Sequence, residues 1–292
     1  MKVKAAKSAG FCFGVQRAVD TVRREALSGR YKHIFTYGPV VHNIMVTGEL
    51  ADMGVKIAAG IEEIRELSKE DGLSDSCIII RAHGISDSEY DILNSIRGLT
   101  VVDATCPYVA KIHDIVREHS LMGETVIVTG DPDHPEVKGI TGCIKGEYFV
   151  IPDTESAELF ELSPEKKVCL VSQTTFNHQK FEDIVDILKK KLYYVTVVNT
   201  ICNATLRRQS ETLLLSRECD AMIVIGGRDS SNTRKLYDIC RSVCRATYFI
   251  QCSDDLKLVT IDDSVRCIGI TAGASTPKTI IEEVLNYVRT EF

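Results

Sequence analysis

Short apolar runs alternate along the chain with segments that carry apolar residues at helical spacing. The runs at 77–80 and 222–225 are continuously apolar, whereas the stretches at 13–27 and 107–121 repeat apolar residues every three or four positions. Buried strands that alternate with amphipathic helices are typical of parallel βαβ units with right-handed crossovers. The pattern therefore predicts an α/β protein with mostly parallel sheets.

This order of elements occurs three times, and a cysteine marks the start of each helix-like segment that the repeats share. Cys12 and Cys106 are 94 positions apart, and Cys106 and Cys202 are 96 apart. We predict three similar α/β domains, arranged with pseudo-threefold symmetry around one central site. The predicted domains are residues 1–100, 101–196 and 197–292, with the N-terminal strand able to pair with the sheet of the third domain.

Polar residues recur in the repeats where strands end. Ligands of open parallel sheets bind at this edge, and helix N-termini there favour phosphate groups. Any one of these residues taken alone is better explained as a helix cap, but their matched positions favour binding of an anion. The candidate ligand-binding residues are His42, His83, His134, Thr174, Ser230, Ser231, Asn232 and Ser275.

Two residues of this kind are also candidates for chemistry. Glu136 lies two positions after His134, and a buried carboxyl beside a metal group can exchange protons. Its alternative role is that of a carboxylate at a helix N-terminus. Thr174 could orient a substrate hydroxyl, although a threonine at a strand end is commonly a simple cap.

Three thiolates that converge on one centre suit two kinds of metal group. Zinc would take the three cysteines and a fourth ligand, whereas a four-iron cluster would leave its fourth iron open to substrate. Zinc has no redox chemistry, and the polar residues suit a large anion, so we favour the iron–sulfur cluster.

The other eight cysteines do not share this pattern. Cys77, Cys169 and Cys267 open apolar strands and are predicted to be core residues. Cys240 and Cys244 share one face of a helix-like stretch, where packing is the simpler interpretation. We assign no role to the remaining three, Cys143, Cys219 and Cys252.

Composition narrows the class of protein. The 292 residues contain eleven cysteines, an odd number that argues against a disulfide framework. No apolar run reaches the roughly 20 residues of a membrane helix, and the N-terminus lacks the apolar region of a signal peptide, so we expect a cytoplasmic protein. The net charge of −6 and the absence of Trp argue against nucleic-acid and membrane partners.

A series of sequence blocks between residues 10 and 277 resembles the LytB/IspH family of 4-hydroxy-3-methylbut-2-enyl diphosphate reductases. In chain order the blocks are AGFCFGV, GPVVHN, RAHG, DATCPYV, HPEVKG, SQTT, CNATLRRQ, SSNTRKL and TAGASTP. The chain ends soon after the last block, so we expect no RNA-binding extension of the kind that some relatives carry.

The resemblance implies removal of the allylic hydroxyl of a diphosphate substrate with two electrons, which gives isopentenyl and dimethylallyl diphosphates and water. It implies that Cys12, Cys106 and Cys202 ligate a 4Fe-4S cluster and that a ferredoxin or flavodoxin supplies the electrons. His134 and Glu136 would lie on the proton path, with Thr174 orienting the hydroxyl and Glu136. The diphosphate would be bound by His42, His83, His134, Ser230, Ser231, Asn232 and Ser275.

Two alternatives of other classes remain open at this point. A quinolinate synthase-like dehydratase would share a cluster with three cysteine ligands but would need residues that bind carboxylates. A non-enzymatic iron–sulfur sensor would need a DNA-binding module or a dimerisation helix, and the sequence has no pattern typical of either.

Overall fold

The computed structural model describes residues 1–70, 73–192 and 194–292. Strands β1 to β12 are Lys2–Ala5, His33–Tyr37, Val55–Ala58, Ser76–Ile80, Leu99–Asp103, Thr125–Thr129, Tyr148–Ile151, Lys167–Ser172, Tyr194–Val197, Ala221–Ile225, Ala246–Ile250 and Cys267–Ala272. Helices α1 to α11 are Phe13–Leu27, Ile44–Asp52, Ile61–Glu70, Asp87–Ser95, Pro107–Leu121, Pro135–Thr141, Thr154–Leu159, His178–Lys191, Asn203–Glu218, Ser231–Val243 and Lys278–Glu291, and a 3₁₀ helix spans Ser253–Leu258. Within these ranges, no helix has both the length and the apolar composition needed to cross a membrane.

The strands form three four-stranded sheets in which neighbouring strands are parallel. Their orders are β3-β2-β4-β5, β7-β6-β8-β9 and β11-β10-β12-β1. The first two sheets thus share one strand order, in which the second strand along the chain lies at one edge and pairs with the first. In the third sheet the N-terminal strand takes the position of β5 and β9, since Lys2–Ala5 pairs with Cys267–Ile270. The prediction of three similar α/β repeats with parallel sheets is confirmed.

The strands do not end at the predicted domain boundaries. The first sheet includes β5 up to Asp103, and the second includes β9 up to Val197, so the boundaries at 100/101 and 196/197 fall inside strands. Each of these strands pairs with the sheet that precedes it in the chain, although it also leads towards the next cysteine. The division into three domains at those positions stays a prediction.

The described residues group into two compact units. The first unit comprises Met1–Gln16, Val41–Gly48 and Cys202–Phe292 and contains the third sheet. The second unit comprises Arg17–Val40 and Glu49–Ile201 and contains the other two sheets.

The central strands of the sheets account for the continuous apolar runs of the sequence. Strands β4, β6 and β10 are buried at every position. Parallel sheets carry helices on both faces, so their inner strands lack the alternation of a half-exposed strand. These strands hold their carboxyl ends in fixed positions, and the candidate residues follow those ends.

An ionic contact joins helices α4 and α5 in the second unit. The guanidinium of Arg117 donates to Asp87 with an Nη2–Oδ1 distance of 2.8 Å, and Lys145 Nζ lies 2.6 Å from Asp87 Oδ2. The hydrogen bond from Arg117 holds the pKa of Asp87 well below its ordinary value, with a further contribution from Lys145. Arg117 also contacts Asp114, whose side chain is 78% exposed.

We predict that Asp87→Asn lowers the free energy of unfolding at neutral pH by about 1–3 kcal/mol, because Arg117 loses a charged acceptor. The stabilisation is complete above the pKa of Asp in the unfolded chain, about 3.9, and is lost as the pH falls through the lower pKa of the folded state. The difference between the two proteins should therefore shrink in acid. Urea unfolding at several pH values measures it.

The matched control for this prediction is Asp114→Asn, which removes the exposed partner of the same guanidinium. We expect an effect of less than about 1 kcal/mol, as for exposed ion pairs. Equal losses in the two variants would contradict the assignment of the stabilisation to Asp87.

Candidate functional site

The three marked cysteines occupy equivalent local positions. Cys12, Cys106 and Cys202 directly precede α1, α5 and α9, and the carbonyl of each accepts a hydrogen bond from the first turn of its helix. All three side chains are half-buried. The sulfur of Cys202 also accepts a hydrogen bond from the Thr205 amide at 3.4 Å. The first N–H groups of each helix therefore place positive potential beside these three cysteines.

A buried arginine joins the two cysteine segments of the first unit. Arg208 is 3% exposed and donates to the carbonyls of Ser8 and Gly10, with its Nη2 at 2.7 Å from each oxygen. The loop before Cys12 is thereby fixed to α9, the helix that starts after Cys202. Burial lowers the pKa of Arg208, while its electrostatic interactions with Cys12 and Cys202 act in the opposite direction. This guanidinium supplies positive charge near two sulfur atoms.

A cavity of about 300 Å³ opens beside Cys12 in the first unit. Two arginines and one cysteine give its wall both positive charge and a sulfur atom. The lining residues are Ser8, Phe11, Cys12, Asn203, Ala204, Arg207 and Arg208.

The start of α10 gathers several of the candidate polar residues. Ser230 caps this helix by accepting from the Thr233 amide, and Ser275 Oγ donates to Ser230 Oγ at 3.3 Å. Ser231 is the first residue of α10 and accepts from Lys235 Nζ at 3.0 Å. Asn232 is only 5% exposed, yet both polar atoms of its amide lack a hydrogen-bond partner within the described ranges. A buried amide without hydrogen bonds lowers the stability of the fold, and a ligand bound at this position would supply the absent hydrogen bonds.

The loop before α10 lies directly against the segment that carries His42. A Cβ atom on Gly227 would stand 2.0 Å from the carbonyl oxygen of His42, so only glycine fits there. Gly226 has φ +156° and would likewise meet the hydroxyl of Thr233. These contacts bring His42 to the loop that leads to Ser230.

In the second unit a buried carboxylate, a buried threonine and a buried histidine form one group with the half-buried His83. Glu136 Oε1 accepts from the Thr174 amide at 2.6 Å, and Glu136 Oε2 accepts from Thr174 Oγ1 at 2.8 Å. Glu136 is 1% exposed, and its own amide donates to His134 Nδ1 at 3.1 Å. The rings of His83 and His134 meet edge to face, with centroids 5.1 Å apart. Since Nδ1 of His134 accepts, a neutral ring carries its proton on Nε2.

A residue that the sequence analysis did not select supports this group. His113 on α5 is 8% exposed, and a Cβ on Gly84 would stand 2.6 Å from its Cε1. Gly84 has φ +68° and directly follows His83. Burial, followed by the charge of Arg117, lowers the pKa of His113. A neutral His113 ring therefore packs under the loop that presents His83. The signal in the sequence that could have identified His113 was its position on the apolar face of α5, beside the buried residues Val109, Ile112 and Val116.

Arg81 of the second unit is another residue that the sequence pattern did not single out. Arg81 directly follows β4, and a Cβ on Gly38 would stand 2.1 Å from its Nη1. Burial lowers the pKa of Arg81, although Tyr37 and Glu89 lie near enough to act in the opposite direction. The single arginine of the RAHG block had no sequence signal that set it apart from surface arginines.

The predicted residues thus fall into two sets, one within each compact unit. In the first unit the fold gathers His42 and the start of α10 in one region and two cysteines around Arg208 in another. In the second unit it brings Glu136 together with His83, His134 and Thr174. The first set is Cys12, His42, Cys202, Ser230, Ser231, Asn232 and Ser275, and the second is His83, Cys106, His134, Glu136 and Thr174.

Comparison with known proteins extends over nearly the whole chain. The LytB protein family matches residues 3–289. A 4-hydroxy-3-methylbut-2-enyl diphosphate reductase of Thermoanaerobacter sp. (strain X514) is 41% identical over 289 residues, which cover 99% of this chain and 97% of that protein.

Two solved structures share the architecture. The structure of (E)-4-hydroxy-3-methyl-but-2-enyl diphosphate reductase, the terminal enzyme of the non-mevalonate pathway, is 36% identical with a TM-score of 0.68 and 99% coverage of both chains. The E-1-hydroxy-2-methyl-but-2-enyl-4-diphosphate reductase of Plasmodium falciparum is 27% identical with a TM-score of 0.87, covering 99% of this chain and 88% of its own.

We predict that Gly84→Ala costs about 1–2 kcal/mol of stability from its left-handed backbone alone, and more because its methyl group displaces the His113 ring. His113→Ala removes that ring, so the two costs should sum to more than the cost of the double variant. Chemical unfolding of the single and double variants measures the difference.

Gly54→Ala is the matched control for this cycle. Gly54 has φ +85° and no atom within 4 Å of an added Cβ, so its cost should be the backbone cost alone and should add to that of His113→Ala. Additive costs for Gly84→Ala and His113→Ala would contradict the proposed packing.

Proposed function

Because this chain belongs to the LytB protein family, we propose that it reduces 4-hydroxy-3-methylbut-2-enyl diphosphate to isopentenyl and dimethylallyl diphosphates. The observation that carries the proposal is the similarity over 99% of the chain to reductases of that substrate. The buried contact of Glu136 with Thr174 adds a group suited to proton transfer. The comparisons favour neither the quinolinate synthase-like dehydratase nor the iron–sulfur sensor.

Cys12, Cys106 and Cys202 would hold a 4Fe-4S cluster. Their thiolates are soft ligands that suit iron, and each lies at a helix N-terminus that stabilises negative charge. Arg208 adds a buried cation beside two of them. When bound, the cluster would supply the two electrons of the reduction one at a time, together with a Lewis-acidic iron. A ferredoxin or flavodoxin would be the electron donor.

The diphosphate would be bound by uncharged donors rather than by a basic patch. Asn232 offers a buried amide whose N–H groups have no partner among the described residues, and Ser230 and Ser275 offer hydroxyls at the start of the same helix. The backbone N–H groups of the first turn of α10 favour an anion at this position. His42, His83, His134 and Ser231 would complete the set of donors.

Glu136 would deliver the proton that converts the departing hydroxyl group into water. Its two carboxylate oxygens accept from the amide and the hydroxyl of Thr174, so the side chain is held in one orientation. The Thr174 hydroxyl is able to donate to an ionised Glu136 and to accept from a protonated one. The contact therefore survives both protonation states, as a proton relay requires. His134, whose Nδ1 accepts a hydrogen bond from the Glu136 amide, would assist this proton transfer.

The direct test is anaerobic turnover with a chemical reductant, with products identified by mass spectrometry. We predict both isoprenyl diphosphates from the natural chain, and a loss of roughly 10²–10⁴-fold in turnover for Glu136→Gln, which keeps the shape but cannot relay a proton. Iron content and substrate binding should be retained. Near-normal turnover would remove Glu136 from the proton path.

Glu124→Gln is the matched control, since Glu124 is another largely buried carboxylate and lies 2.6 Å from a histidine nitrogen, His119 Nδ1. Its turnover should stay near that of the natural chain. A natural chain that holds iron, binds a reductant and yields neither product would contradict the proposed function itself.

A further prediction concerns Asn232. Asn232→Asp places a negative charge where the diphosphate would bind, so we expect KM to rise by at least tenfold with a smaller effect on kcat. Asn177→Asp is the control, because Asn177 caps α8 through the Lys180 amide and Asp caps equally well. Steady-state kinetics of both variants test this, and an unchanged KM for Asn232→Asp would exclude contact with the diphosphate.

A further inference from the structure

Two thiols of the first unit, distant in sequence, are adjacent in the fold. Cys219 directly follows α9, and Cys267 is the first residue of β12. Their sulfur atoms lie 3.2 Å apart. Neither belongs to the cysteines proposed as cluster ligands, and the sequence pattern had assigned Cys267 to the core and Cys219 no role.

The backbone around the pair is held by one carboxylate. Asp220 Oδ2 accepts from the amides of Arg266 and Cys267, each at 2.9 Å. The amide of Asp220 donates to the Cys267 carbonyl at 3.0 Å. These three hydrogen bonds tie the residue after Cys219 to Cys267 itself, so the two thiols are kept adjacent.

The space around the sulfurs is also matched to them. A Cβ on Gly269 would stand 3.1 Å from Cys219 Sγ and 2.4 Å from Met222 Sδ, so the absent side chain makes room for sulfur. Cys219 is 8% exposed, whereas Cys267 is half-buried and remains reachable.

The two thiols differ in their exposure, and Cys219 is the more deeply buried of the pair. Burial raises the pKa of Cys219, and its hydrogen bond with Cys267 acts in the same direction. The ammonium of Lys4 lies near both sulfur atoms. Because Cys267 is the more accessible thiol, a reagent would meet Cys267 as the nucleophile and Cys219 as the thiol that follows.

We propose that Cys219 and Cys267 form a reversible disulfide when the protein meets a low-molecular-weight disulfide such as oxidised glutathione. The Cys267 thiolate attacks one sulfur of the reagent, breaks its S–S bond and releases one thiolate. Cys219, after losing its proton to solvent, attacks Cys267 Sγ and releases the second thiolate. The two cysteines lose two electrons and two protons, and the reagent becomes two thiols.

The geometry demands little movement. A disulfide bond is about 2.05 Å long, so the sulfurs must approach by roughly 1.2 Å, which small side-chain rotations supply. The neighbouring Cys244 is held differently, since its thiol donates to the carbonyl of Asp220 at 3.3 Å. The bond would join the end of α9 to β12, both within the first unit.

The test uses the anaerobically purified holoenzyme in buffers that run from reduced to fully oxidised glutathione. Samples are quenched in acid, free thiols are alkylated, and peptides are identified by mass spectrometry. We expect a peptide pair linked through Cys219 and Cys267 to accumulate with the oxidised fraction and to vanish on return to reduced glutathione. The double variant Cys240→Ser/Cys244→Ser should show the same linkage, because its changes lie outside the reacting pair.

Cys252, which is half-buried, reports whether the reagent reaches the protein. Modification of Cys252 without any linkage of Cys219 to Cys267 would overturn the proposal, as would glutathione remaining on Cys267 while Cys219 stays free. In Cys219→Ser the mixed disulfide on Cys267 should persist, since no second thiol resolves it. The readout is independent of turnover, so it stands apart from the proposed reductase activity.

Discussion

The electrostatics of the proposed site depend on one structural constraint, which is that parallel strands end where helices begin. The first N–H groups of a helix have no partner within it, and they concentrate positive potential at that edge of the sheet. Cys12, Cys106 and Cys202 all stand at such a start, as do His134 and Ser230. A chain of net charge −6 can therefore offer positive potential to an anion at these positions without a cluster of lysines.

Buried polar contacts then orient the individual groups. Arg208 fixes the loop before Cys12 by donating to two carbonyls, while Thr174 holds both oxygens of Glu136. His113 fills the space that Gly84 leaves free and supports the loop of His83. These contacts are largely buried, so the loss of one leaves an unsatisfied group or a cavity, and each part of the proposed site is coupled to the stability of its own unit.

The repeated fold could be predicted from sequence because it follows from local pattern, and the same pattern selected the residues of the proposed site. Continuous apolar runs predict inner parallel strands, and the nearly equal spacing of three cysteines, each before a helix-like segment, predicts three equivalent helix starts. The strand β5 was assigned to the repeat that follows it, because its sequence leads into Cys106, whereas its hydrogen bonds go back to β4. Pairing partners of a parallel strand are set by tertiary contacts, which periodicity does not contain.

The missed residues share a physical reason. His113 occupies a position on the apolar face of α5, and its importance arises from packing against Gly84, which is remote in sequence. Arg208 resembles any helical arginine until the carbonyls of Ser8 and Gly10 are placed beside it. The adjacency of Cys219 and Cys267 likewise results from the pairing of β10 with β12.

We propose that Cys12, Cys106 and Cys202, each at a helix start, together hold one cluster whose fourth iron is open to substrate. Mössbauer spectroscopy of anaerobically reconstituted protein, carrying isotopically enriched iron, is the measurement that tests this. We expect about four irons per chain, one of which changes its signal when the diphosphate substrate is added. A spectrum that substrate leaves unchanged, or full iron content in a variant with serine at all three cysteine positions, would contradict it.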